Sequence, residues 1–224
     1  MSTLDIVFNH RVETLWKWST GNSRFTIADD NQHYIARILK HDINNTSRSN
    51  GITLSTAYLT PRMECQLSST PLPVVLKIAT GSEHISLLQR EASFYEDELH
   101  HLQGCVVPKY YGLYRGKLGS SSPRSHRLDC RDAASACMIL EYCSGHGSFP
   151  LSSGDFRRRA LIATQRLHQA GVVHGDLLNN RHILDLGYNG DKGGVRIVDF
   201  SMARRHHRCP QGIGGCQELI LIGS

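Results

Sequence analysis

No run of apolar residues in this chain approaches the ~18 needed to span a bilayer. The opening Met-Ser-Thr-Leu-Asp is polar and acidic, unlike the basic, apolar and small-residue pattern of a secretory signal. These absences predict no membrane partner and a cytoplasmic or nuclear location. A strong charge excess is also missing. The 25 Lys and Arg against 20 Asp and Glu leave a net charge of +5. That suits an anionic small ligand but is too weak and scattered for a nucleic-acid binder. No repeat of solenoid length is present. At 40% apolar and 20% charged residues, the balance is that of a globular protein rather than a disordered one. The seven cysteines are odd in number, and several lie in apolar runs such as Ala136-Cys137-Met138-Ile139. There a reduced Cys acts as a small buried hydrophobe, so a reducing compartment is expected. A length of 224 residues is enough for one domain, or one two-lobed domain, without disulfide staples.

Three polar, turn-rich stretches punctuate the chain, at 41–50, 116–135 and 187–194. Between them the periodicity changes. Residues 33–39 and 52–59 alternate roughly as strands do, and 73–79 form a short apolar run typical of a strand buried on both faces. Ile85, Leu88, Ala92, Tyr95, Leu99 and Leu102 recur at helical spacing, with Gly104 placed to end the helix. Residues 110–114 and 136–142 read as strands. Phe156, Ala160, Ala163, Leu167 and Ala170 mark a second helix closed by Gly171. Two short strands, 182–185 and 195–198, flank the last glycine-rich loop as a hairpin. The order predicts an α+β fold rather than regular βαβ winding.

The residues with chemical potential lie in order along these elements. Lys77 falls on the buried strand, where a lysine is costly unless paired, and Glu91 follows on the helix. Glu98 is an alternative partner for it. His174-Gly175-Asp176 comes directly after the second helix, and Asp199-Phe200-Ser201 ends the second strand of the hairpin. Two such carboxylates suit metal-assisted phosphoryl transfer. One orients the proton of an attacking hydroxyl, and the other holds magnesium against nucleotide phosphates. His174 on its own reads as a brace for the loop. The run Arg157-Arg158-Arg159 reads as a solvated helix face. His206, His207, Cys209 and Cys216 are zinc-type ligands but lack a recognised ligand spacing.

Taken in order, these residues resemble the protein kinase-like superfamily over roughly 50–203. His174-Gly175-Asp176 is similar to the catalytic loop of aminoglycoside phosphotransferases, choline kinase-like enzymes and RIO-type atypical kinases. The sum resembles divergent, short kinase-like proteins of filamentous fungi. The resemblance implies a bilobal kinase-like fold with a truncated C-terminal lobe, because only 24 residues follow Phe200. It divides the chain into an N-terminal extension (1–32), an N-lobe (33–141) with insertions near 41–50 and 116–135, and a hinge plus truncated C-lobe (142–224). It also implies ATP and Mg2+ as cofactors. Lys77, braced by Glu91, would hold the phosphates, and Glu141 and Cys143 would hydrogen-bond adenine beside a gatekeeper, Leu140. Asp176 would be the catalytic carboxylate and Asp199 the metal ligand. A glycine at 175 in place of arginine removes control through a phosphorylated activation loop.

The sequence also departs from that pattern. Arg181 stands where the second metal ligand, an asparagine, is expected, leaving Asn180 or His182 for the role. Gly51 is the sole glycine where a phosphate loop would be. The expected function is phosphotransfer from ATP to a hydroxyl on a protein or a small molecule. The alternatives are a pseudokinase, binding nucleotide or a partner without turnover, and a non-catalytic fragment of a longer product.

Overall fold

The computed structural model describes residues 2–8, 11–19, 33–39, 51–62, 70–118, 134–147, 154–177, 181–187, 194–205 and 216–223. The chain divides into two compact units, one of Met1–Ala92 with Tyr110–Tyr142 and one of Ser93–Lys109 with Cys143–Ser224.

The first unit is built on seven strands: β1 (Thr3–Phe8), β2 (Arg11–Lys17), β3 (His33–Ile38), β4 (Ile52–Pro61), β5 (Leu72–Thr80), β6 (Tyr110–Lys117) and β7 (Ala134–Glu141). They close into a barrel in the order β1-β2-β6-β7-β5-β4-β3. Alternation drives the closure. In β1, Leu4 and Ile6 point into the core, and they meet Leu15, Ala36, Leu59, Leu76 and Ile139 there. All neighbouring strands run antiparallel except β1 and β3, which pair in parallel from Thr3↔His33 to Val7↔Arg37. Strand β5 is flanked by β4 and β7 and is buried along most of its length, as its unbroken apolar run requires. Where β6 meets β7 the register slips between Tyr110 and Gly112. Gly112, at φ +132°, supplies the backbone freedom that this bulge needs.

This architecture corrects the expected fold class. The protein is mostly sheet, with a closed seven-strand barrel and three helices among the described residues, rather than a bilobal α+β kinase-like fold with a truncated C-lobe. The physical reason lies in the first 17 residues. In the stretch read as an extension, Leu4, Ile6 and Leu15 are fully buried, and β1 and β2 join β3 to β6. Closure leaves the sheet no exposed edge.

Helix α1 (Ser82–Glu96) buries Ile85, Leu88, Ala92 and Tyr95, the spacing visible in the sequence. It ends six residues short of Leu102. The Leu99 amide donates to the Phe94 carbonyl, five residues back, and a single 3-10 turn, His100–Leu102, continues the apolar phase. Gly104, at φ +74°, follows it.

In the second unit, α2 (Gly154–Gln169) packs against a short C-terminal helix, α3 (Gln217–Gly223). Strands β10 (Ile183–Asp185) and β11 (Val195–Ile197) form the expected hairpin, extended by β8 (His146–Gly147). Strands β9 (Val172–Val173) and β12 (Arg204–Arg205) pair separately. One arginine behaves differently from its sequence reading. Arg159 is only 17% exposed, and it forks onto both Asp185 oxygens at 2.9 and 3.1 Å instead of pointing into water. That hydrogen bonding outweighs the opposing effect of burial and holds the Asp185 carboxyl below the usual range. Arg196 is buried, with its guanidinium on the carbonyls of Gly104 and Cys105.

Candidate functional site

The chemistry-bearing residues fall into one group in each unit. In the barrel, β5 carries Lys77 opposite Leu54 on β4 and Met138 on β7. Its ammonium lies 2.6 Å from Glu91 Oε2 on α1. Lys77 is 7% exposed and Glu91 1%, so water screens neither charge well. Glu98, the alternative partner, belongs to the second unit and binds Arg205 there at 2.5 Å. Glu141 ends β7 across from Val74, and the next amide, of Tyr142, donates to the Pro73 carbonyl at 3.2 Å. Leu140 is buried. Cys143, half-buried, begins the second segment of the second unit.

In the second unit the hairpin sets the geometry. The pairing Ile183↔Ile197 puts His182 across from Val198, whose amide donates to the His182 carbonyl at 2.9 Å, and so beside Asp199. The His182 ring lies between two carboxylates. Its Nδ1 is 3.5 Å from Asp176 Oδ2, and its Nε2 is 3.6 Å from Asp199 Oδ2. Asp199 adopts a left-handed conformation, φ 66° and ψ 77°, and is the only non-glycine at positive φ among the described residues. Its carboxylate accepts the Ser201 amide at 3.4 Å, and the backbone then turns so that Phe200 is buried. The Phe200 ring meets Tyr95 edge-on at 5.5 Å and His174 at 5.0 Å. Asn180, the other candidate metal ligand, lies outside the described residues, as do His206, His207 and Cys209.

His174 braces the loop. It is fully buried and its Nε2 donates to the Val198 carbonyl at 3.0 Å, which leaves Nδ1 to accept the Asp176 amide at 3.3 Å. Both contacts fit the neutral ring. Desolvation dominates its titration and holds its pKa below the ordinary 6.5. Glu218, on α3, clamps the same loop from the other side. It accepts from the Gly175 amide at 2.8 Å, from the His174 amide at 3.3 Å, and from His168 Nε2 at 2.7 Å. Burial would raise its pKa, but these donors together keep the carboxyl below its usual range. Glu218 lies 42 residues downstream of the loop it organises, so no local spacing revealed the contact. Cys216 is engaged nearby, with Sγ 3.6 Å from His168 Nδ1.

Both titrations have the same sign. The unfolded chain takes up protons that folded His174 and Glu218 resist. Stability therefore falls as pH drops below about 6.5, where unfolded His174 charges, and falls again below about 4.5 as Glu218 protonates. Urea unfolding of wild type and His174→Gln between pH 7.5 and 5 should show the larger midpoint loss in wild type.

Gly175 also has a structural explanation. It sits at φ +84°, and a Cβ there would lie 2.8 Å from the Met202 carbonyl oxygen. Any side chain at 175, arginine included, collides with backbone. Gly175→Ala should cost roughly 1–3 kcal/mol in a denaturation experiment. A cavity of about 350 Å³ opens beside this loop, lined among others by Asp176, Leu177, Arg204 and Leu221.

Among the described residues, no three His, Cys, Asp or Glu side chains form a ready metal site. Two of them do fit a partial one. His182 Nδ1 lies 2.8 Å from the Asp176 carbonyl, which can only accept, so Nδ1 carries a proton. Nε2 faces Asp199 Oδ2 at 3.6 Å, where it can donate as an imidazolium or, without its proton, share a cation with the carboxylate.

Comparison with known proteins adds one relative. The chain is 30% identical over 128 residues to the meiotic driver SPOK2 of Podospora anserina. That stretch is 55% of this chain, and it spans 14% of the driver's length. No family model matches the chain. The expected membership of the protein kinase-like superfamily is corrected accordingly. The chain has a distant likeness to a meiotic driver and a closed seven-strand barrel, and the motif order that suggested the superfamily does not carry that assignment. No helix among the described residues is long and apolar enough to cross a membrane.

Proposed function

We propose that the protein is an ATP-dependent phosphotransferase that uses a divalent cation and a hydroxyl acceptor. The observation that carries this reading is the buried Lys77–Glu91 pair. Apolar residues of similar volume would stabilise the barrel as well or better, so an ion pair held there points to a task for the charge. A lysine oriented by a carboxylate is suited to phosphate oxygens. In the second unit, Asp199, assisted by His182, would hold the cation, and the cation when bound neutralises charge on the phosphates. Asp176 would take the acceptor's proton. The acceptor oxygen bonds to the terminal phosphorus as the bond from that phosphorus to its bridging oxygen breaks. The proton passes to the Asp176 carboxylate, and the electron pair leaves with ADP. The cavity beside Asp176 and Arg204 offers room for the acceptor.

A second reading, nucleotide binding without turnover, is favoured by the engagement of Asp176 with His182 through both its carbonyl and its carboxylate. ATP consumption with protein and small-molecule hydroxyl acceptors separates the two. Turnover that falls roughly 10²–10⁴-fold in Asp176→Asn supports transfer. ATP binding with no turnover for any acceptor supports the second reading.

A further inference from the structure

We propose that His182 is a nitrogen ligand of the bound cation, so that the site takes a first-row transition dication such as Mn2+ in preference to Mg2+. The proposal rests on the reading of Asp199 as cation ligand and names the cation that this site selects. Three features of the structure carry it. The ring is fixed, because its Nδ1 donates to the Asp176 carbonyl at 2.8 Å and its backbone carbonyl accepts the Val198 amide at 2.9 Å. With Nδ1 committed to that carbonyl, Nε2 is the ring nitrogen placed to bind a cation, 3.6 Å from Asp199 Oδ2. A cation of ordinary radius, bound at about 2.1–2.2 Å from each donor, fits between atoms at that separation. The carbonyl bonded to Nδ1 is also the usual way that proteins orient a ligating histidine and raise its basicity.

Selectivity follows from donor chemistry. Mg2+ prefers an all-oxygen, largely hydrated shell, whereas imidazole suits transition ions. One imidazole with one carboxylate is a weak site, to be completed by water and by phosphate oxygens. The hairpin register places the two donors together, so the preference belongs to this chain's fold and does not require a third side chain.

The test uses the full chain and Mn2+ alone, without nucleotide. Electron spin-echo envelope modulation of bound Mn2+ should show coupling to a 14N nucleus in wild type. Competition with Mg2+ should show Mn2+ bound about tenfold or more tightly, and His182→Ala should remove both the coupling and the preference. Asp199→Asn should weaken both ions. His182→Asn provides a second, smaller replacement should the alanine variant fold poorly, and the wild-type spin-echo measurement stands without any variant. Bound Mn2+ without 14N coupling overturns the proposal, as does an unchanged ion preference in His182→Ala or no Mn2+ binding at millimolar concentration. Nitrogen-coupled Mn2+ in a protein that never consumes ATP would support the ligand assignment while removing the phosphotransferase reading. ATP turnover with a cation held by oxygen alone would do the reverse.

Discussion

Glu91→Ala should destabilise the barrel by about 3–5 kcal/mol, because it leaves the Lys77 ammonium buried with its carboxylate removed. At roughly 2–4 °C per kcal/mol for a chain of this size, the melting temperature should move by many degrees. The companion experiment separates stability from function. Lys77→Met combined with Glu91→Leu replaces both charges by apolar groups and should be near neutral for folding, or more stable. The same double variant should lose ATP affinity by about 10–100-fold, the worth of a charged hydrogen bond to phosphate. If the double variant were as unstable as Glu91→Ala, the pair would be structural, and the argument from a charge with a task would fail.

Asp199→Asn should abolish cation-dependent nucleotide binding while leaving the fold intact. The residue occupies a left-handed backbone position that asparagine tolerates as readily as aspartate, and the amide oxygen can still accept the Ser201 N–H. Only the charge is lost. Affinity for ATP with a divalent cation should fall by about 10²-fold or more, and ATP without the cation should bind both proteins equally weakly. Thermal shift with and without cation reads this directly. Equal stabilisation of wild type and variant by ATP and cation would remove Asp199 from the site.

Some of this geometry was legible in the sequence. Lys77 on an apolar strand and Glu91 one helix later are drawn together because β5 and α1 are consecutive, and local order of that kind survives translation into three dimensions. The hairpin of β10 and β11 was legible for the same reason, its turn lying between two short apolar runs. Closure of the barrel was not legible. It depends on β1 pairing in parallel with β3 and on β2 reaching β6, partners separated by about 30 and 100 residues, and no local pattern encodes such contacts. Apolar phase also misled at Leu99 and Leu102, which extend the helical spacing although the chain has already left α-helical geometry at Glu96. In the second unit, the Glu218 clamp and the Arg159–Asp185 fork join residues far apart in sequence, so no local pattern linked them. The position of His182 fell between. Its place directly before Ile183-Leu184 made it a candidate, but only the hairpin register shows that it reaches Asp199. The ordered motifs therefore indicated local neighbours more reliably than they identified a fold.

The most direct test of the account is calorimetric titration of ATP, with and without a divalent cation, into wild type, Lys77→Met and Asp199→Asn. The account predicts cation-dependent binding by wild type and a loss of about tenfold or more in each variant. Absence of ATP binding by wild type, or binding that neither substitution weakens, would contradict it.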